Sequence, residues 1–246
     1  MNIVPIRLAA GLLLAAALSA CNGPQVTAPT AALIEADAMR AGHAQDAAAE
    51  RRVRDWAMRG LPVAERELGL LYRMRPAMRA QSMQLFEKSA RAGDAEAAFQ
   101  LGDMYRSGGA GLTVQPEKAA PWYRLAGAQK HAKAALALAL MVKNGDGVPL
   151  DEAEAARWLA LASEWGNPHA MFLLYNAYQN GLGLPRDAAK ARHFLEEAAE
   201  HEYPPALQEL AMAMQHGDAL APGDAVRAGH LMKEATEHRR NNWNRF

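Results

Sequence analysis

What most limits the folds open to this chain is that it repeats itself. An alanine, a leucine four residues on, then a residue that is small in most copies, and an aromatic or apolar residue three later recur along it. The copies are Ala64-Leu68-Gly69-Tyr72, Ala97-Leu101-Gly102-Tyr105, Ala134-Leu138-Ala139-Val142, Ala170-Leu174-Tyr175-Tyr178 and Ala206-Leu210-Ala211-Met214. Their leading alanines are spaced by 33, 37, 36 and 36 residues. Residues four apart share one helix face, so each copy predicts an amphipathic helix. A period of this length means a stack of helical units, each too small to bury its own apolar stripe.

Each copy is followed by a turn and a second apolar stripe. The turns hold Gly108 to Gly111, Asn144-Gly145-Asp146-Gly147, Asn180-Gly181-Leu182-Gly183 and His216-Gly217-Asp218. Gly and Asn tolerate the positive φ at which a helix stops. The second stripes centre on Leu85/Phe86, Trp122/Tyr123, Trp158/Leu159, Phe194/Leu195 and Leu231/Met232, with Ser89, Ala126, Ala162, Ala198 and Ala235 a turn further on. Pro116, Pro149 and Pro185 precede second helices, where a missing N–H does no harm, and Asp151 and Asp187 read as N-terminal caps. The chain is 50% hydrophobic but only 7% aromatic, so alanine, leucine and methionine carry the core. With 27 basic and 27 acidic residues it lacks the field of a nucleic-acid binder, and one cysteine excludes a disulfide framework or a Cys-rich metal site.

These residues resemble the Sel-like repeat family, longer relatives of tetratricopeptide repeats, whose pattern runs A-x-x-x-L-G-x-x-Y, N-G-x-G-V, D-x-x-K-A-x-x-W-Y-x-x-A-A. Ala97 to Ala126 and Ala134 to Ala162 match it best, and the resemblance covers about residues 64–238. It implies an all-α fold, a right-handed α/α superhelical solenoid of about five helical hairpins over residues 61–238. The end copies depart from the pattern, as capping units do: the first carries Arg73-Met74-Arg75-Pro76 in place of the glycine turn, and the last has Met214 for tyrosine. Residues 31–60 read as one further helix, whose end echoes a second-helix unit, and residues 239–246 as a polar tail ending in two aromatics.

The start of the chain is an address. Arg7 and the apolar run Leu8 to Leu18 form a segment too short to span a membrane, which takes about 20 apolar residues, and it fits an export signal over residues 1–20. Leu18-Ser19-Ala20-Cys21 resembles the lipobox of bacterial lipoproteins, which implies a diacylglyceryl group on Cys21. Lipid linkage also removes the liability of a single reactive thiol in an oxidising compartment. Asn22 stands where aspartate would resemble an inner-membrane retention signal, so the expected location is the periplasmic side of the outer membrane. Residues 21–30, rich in Pro, Gly and Thr, read as the lipidated cysteine and its linker.

No phosphate loop, HExxH motif, nucleophile elbow or Ser-x-x-Lys is present, and no cofactor is expected. Two sets, His193/Glu197/His201 and His230/Glu234/His238, have members four apart, but the repeat alone explains their recurrence and they read as charged surface rather than a metal site. Asn144 to Gly147 begins like a calcium loop and fails at Val148, which cannot coordinate. Arg51, Arg52 and Arg54 read as a solvated helix face.

The resemblance further implies that first helices line a concave wall on which a partner lies. Three rows run along it: Arg66, Phe99, Leu136, Phe172, Gln208; then Leu70, Asp103, Leu140, Asn176, Met212; then Arg73, Arg106, Lys143, Gln179, Gln215. Phe99 and Phe172 either pack in the seam or meet a partner, while the charges of the third row have no evident packing role. Taken as partner-binding are Arg73, Phe99, Asp103, Arg106, Leu136, Leu140, Lys143, Phe172, Asn176 and Gln179. An apolar centre beside a basic edge suits an extended peptide or helix bearing acidic groups. The expected function is a non-catalytic scaffold for protein partners in the envelope, tethered to the membrane by its lipid. Lipid-anchored relatives imply a place in an exopolysaccharide secretion machine or another envelope assembly. The alternatives are a regulatory or inhibitory subunit of an envelope enzyme and, with no nucleophile or base in evidence, a cell-wall hydrolase.

Overall fold

Every helix expected from the periodicity forms, and the helices come in pairs. The computed structural model describes residues 28–108, 113–217 and 223–241. Residues 1–27, with the export signal and Cys21, lie outside them, as do Trp243 and Phe246 of the tail. The helices are α1 (Ala31–His43), α2 (Ala47–Met58), α3 (Pro62–Arg73), α4 (Arg79–Arg91), α5 (Ala95–Ser107) and α6 (Pro116–Gly127). They continue as α7 (Ala132–Asn144), α8 (Glu152–Glu164), α9 (Pro168–Asn180), α10 (Ala188–Glu200), α11 (Pro204–His216) and α12 (Ala225–Asn241). Among the described residues there is no strand, and no helix is long and apolar enough to cross a membrane. Packing is closest within the pairs α3–α4, α5–α6, α7–α8, α9–α10 and α11–α12, and each pair meets the next in line. The result is the expected all-α solenoid.

Local chemistry starts and stops these helices. Asp94, His131 and Asn167 accept hydrogen bonds from the backbone N–H groups of Ala97, Ala134 and Ala170, which caps α5, α7 and α9. Asp151 and Asp187 cap α8 and α10 as expected, through Glu154 N and Lys190 N. At the other end, Gly108, Gly145, Gly181 and Gly217 take the left-handed conformation that closes α5, α7, α9 and α11.

The seam is made where the small residue of a first helix meets its own second helix. A Cβ built on Gly102 would sit 2.7 Å from Cε1 of Tyr123, and one on Gly69 would sit 2.8 Å from Cε1 of Phe86. Both rings are fully buried. The next link passes between units: Trp158 of α8 reaches back so that a Cβ on Gly127, at the end of α6, would lie 3.0 Å from its ring. Burying each ring or leucine in this way contributes roughly 1.5–3 kcal/mol.

The second glycine of each turn has a reason that a helix stop does not cover. Gly147, at φ +68°, lies against the start of α6, where a Cβ would fall 2.4 Å from Glu117 N. Gly183 lies against the start of α8, where a Cβ would fall 2.1 Å from Glu152 O. These two turns therefore cover the N-terminus of the preceding unit's second helix, backbone on backbone.

Residues 31–60, expected as one helix, are two. The chain breaks after His43: Gln45 takes φ 53°, and Asp46 caps α2 through Ala48 N and Ala49 N. An Asp at that position offers the backbone a better partner than a continued helix would. The two helices form a sixth hairpin that packs on α3. Asp37, fully buried in α1, is held by Arg40 and by Arg52 of α2, the latter at 2.6 Å. Arg54 of α2 donates to Tyr72 Oη at 3.1 Å, and Glu50 accepts from Arg75 at 2.7 Å. Of the arginine run expected to be solvated, Arg52 and Arg54 are thus fasteners between helices.

Gly147→Ala is expected to lower the melting temperature by several degrees, because its methyl meets backbone that cannot rotate away. Gly60→Ala has the same sign of φ (+75°) and nothing within 4 Å, so it costs only the conformational strain, about 1 kcal/mol. Equal losses in paired thermal melts would show that close approach is not the constraint. Gly102→Leu, which overpacks the Tyr123 seat, should lower the melting temperature by several degrees as well.

Candidate functional site

The first helices α3, α5, α7, α9 and α11 line up, and side chains bridge them. Arg66 donates to Asp94 at 2.9 Å, Arg73 donates to Gln100, and Tyr175 donates to Glu209 at 3.0 Å. His131 makes a further link. Its Nδ1 accepts from Ala134 N, so Nε2 carries the proton and donates to Glu96 Oε2 at 3.0 Å.

The first row mostly packs. Arg66 is taken up by Glu35, Glu67 and Asp94. Phe99 stacks on His131 at 4.8 Å and tilts against Tyr123, Leu136 is buried, and Phe172 lies 5.6 Å from both Tyr175 and Tyr203. Phe99 and Phe172 thus pack against neighbouring rings and remain partly exposed. Gln208 accepts from Arg239. In the second row, Leu70 and Leu140 are half-buried, Asn176 donates to the carbonyl of Phe172 in its own helix, and Met212 is exposed.

The third row stands furthest from the seam. Arg106, Lys143 and Gln215 are exposed and Arg73 and Gln179 half-buried. Its charges were expected to have no packing role, and for Arg106 that is corrected. Arg106 Nε donates to Tyr123 Oη at 3.1 Å, and the same hydroxyl donates to Asp103 at 2.5 Å. Burial and the Asp103 carboxylate together push the Tyr123 hydroxyl well above the usual phenol range, so it stays protonated and holds both groups.

Arg73, Asp103 and Arg106 converge on a cleft of about 310 Å³, together with Met74, Arg79 and Ser107. Arg79 escaped the reading by rows because it opens a second helix. Its signal is the 3-10 turn Pro76–Met78, which sets the start of α4 directly after the end of α3. A larger cleft of about 630 Å³ lies between α1, α2 and α3, with Leu70, Leu71, Met39 and Met74 beside Glu50 and Glu67. It depends on the break at Gln45, which the expectation of one helix hid. Lys143 and Asn176 line a separate, narrow gap beside α8. The histidine sets do not assemble as spaced. His201 lies past the end of α10, and the group that comes together among the described residues is Glu202, Glu234 and His238, with ligand atoms within 4.8 Å of one another.

The Sel1 repeat family model matches residues 62–94, 95–131, 132–167, 168–203 and 204–238, so each match begins where a first helix begins. The chain is similar to a solved Sel1 repeat protein from Oxalobacter formigenes, with TM-score 0.74 and 24% identity over 88% of this chain and 91% of that one. It is similar also to c5321, a protective antigen of uropathogenic Escherichia coli with an SLR fold, with TM-score 0.71 and 24% identity over 83% of this chain and 46% of that one. A third likeness is to the immunity protein Pa5087 of Pseudomonas aeruginosa, with TM-score 0.51 and 15% identity over 87% of this chain and 83% of that one. At these identities the likenesses establish the fold. A search of the curated proteins gives no significant match.

The Glu96–His131 bridge has a pH signature. The hydrogen bond from His131 holds the Glu96 carboxyl below its usual range. A depressed carboxyl contributes stability above its unfolded pKa, about 4.3, and loses it as pH falls through the folded value. Glu96→Gln should therefore lower the melting temperature at pH 7 and flatten its decline between about pH 5 and pH 3. Parallel melting curves for the two proteins across that window would remove the bridge from the account.

Proposed function

The chain belongs to the Sel1 repeat family, and from that premise we propose that it is a non-catalytic scaffold holding a protein partner along the wall of its first helices. The observation that carries this reading is the third row. Arg73, Arg106, Lys143, Gln179 and Gln215 place one polar side chain per repeat at near-equal steps, outside the seam that stabilises the stack. A linear array of this kind suits an extended or helical segment of a partner, which it reads one unit at a time. Phe99, Phe172 and Leu140 beside it, each partly exposed, supply apolar contact.

We further propose that the scaffold is lipid-anchored through Cys21 on the periplasmic side of the outer membrane. The support is the sequence Leu18-Ser19-Ala20-Cys21 after a short apolar run, together with the lack of any other cysteine. The assembly it serves is then one of the envelope, with exopolysaccharide secretion the system proposed.

Photo-crosslinking in intact cells tests the wall. Crosslinkers at Lys143, Gln179 and Gln215 should join the same partner protein, while those at Gln84, Arg157 and Lys233 on second helices should not. Adducts confined to second helices would overturn the reading. Cys21→Ala should move the protein from the membrane pellet to the soluble fraction with its melting temperature unchanged, and retention in the pellet would remove the anchor.

A further inference from the structure

Several arginines near the wall's first units find a carboxylate. Arg52, Arg54, Arg66 and Arg75 each pair with a carboxylate between 2.6 and 2.9 Å away. Arg73 and Arg106 do not pair with a carboxylate among the described residues. Arg73 is positioned by the amide of Gln100, and Arg106 by the hydroxyl of Tyr123. Neutral oxygens fix where these two guanidiniums sit, and the carboxylates near Arg106, Asp103 and Asp146, act on it through space without a direct ion pair. A guanidinium has five N–H donors, and one interaction engages only a small part of each.

Both guanidiniums line the same 310 Å³ cleft, in which Arg79 adds a third positive charge and Asp103 a single negative one. The Asp103 carboxylate already accepts from Tyr123, so it is turned to holding that hydroxyl. Among the described residues that line it, the cleft therefore carries more positive than negative charge, with Arg73 and Arg106 held in place at its wall. Along the row the charge continues to Lys143 and then stops, since Gln179 and Gln215 are neutral.

We propose that this cleft binds two neighbouring carboxylates on an extended acidic segment of the partner protein. The inference rests on the scaffold reading and names the chemistry of its recognition. Arg73 and Arg106 stand on successive first helices and line one cleft. Side chains of an extended chain alternate in direction, so Asp or Glu residues at alternate positions face the same wall and can meet the two forks. Arginine suits this role because its planar fork meets a carboxylate with two parallel hydrogen bonds.

The test uses the full chain and a short fluorescent peptide with glutamate at alternate positions between glycine and serine, beside the same peptide with glutamine. Saturable binding of the glutamate peptide alone is expected, weakening as salt is raised. Arg73→Gln and Arg106→Gln should each weaken it about tenfold or more, Arg106→Lys should restore only part, and Arg157→Gln should change it less than about twofold. Melting curves confirm that each variant is folded. Equal binding of the two peptides, or no saturable binding, overturns the proposal. So does binding of phosphatidylglycerol vesicles or inorganic phosphate that depends on Arg73 and Arg106 while the peptide is ignored. If wall crosslinks to a partner persist when the peptide assay fails, only this inference falls. If the peptide binds but the partner crosslinks elsewhere, the scaffold reading falls instead.

Discussion

The closeness of one helix to the next is set by side chains that are missing, and the rest of the architecture follows from it. In the first two repeats a ring of the second helix occupies the space a Cβ would take on the first, Phe86 over Gly69 and Tyr123 over Gly102. Where the second helix carries a leucine instead, the first carries a larger residue: Ala139 shares a core with Leu159, and Tyr175 with Leu195. Volume moves from one helix to the other while the seam stays filled, which is how a core tolerates sequence change. The same economy of atoms recurs in the turns, where Gly147 and Gly183 let backbone rest on the unit before.

A stack built this way has two ends, and the N-terminal end is closed by charge as well as by apolar packing. Asp37 is fully buried between two arginines, and Glu50 ties α2 to Arg75, just past the end of α3. The buried Asp37 carboxylate needs these guanidiniums, because a buried charge without a partner is costly. The α1–α2 hairpin is therefore an integral cap rather than a linker that became helical.

The wall combines rigidity with unsatisfied charge. Tyr123 does two tasks at once: its ring fills the seat over Gly102, and its hydroxyl positions both Asp103 and Arg106. The groups proposed to face a partner are thus set by the same side chain that stabilises the repeat. Binding elements anchored in a packed core lose little conformational freedom when a partner arrives, which favours affinity.

The sequence by itself determined the period, the helix pairing and the caps at Asp151 and Asp187, because these depend on residues a few positions apart on one helix face or at one helix end. It also determined which residues share a row, since the row is the period applied to one position. It could not say that residues 31–60 break at Gln45, that Arg52 and Arg54 reach across to Asp37 and Tyr72, or that Arg79 joins Arg73 and Arg106 in one cleft. Those outcomes depend on distances between side chains from different helices, and on whether each charge finds an opposite charge or a neutral oxygen. Tertiary packing alone decides them, because spacing along a chain is blind to which long side chains meet once the helices have stacked.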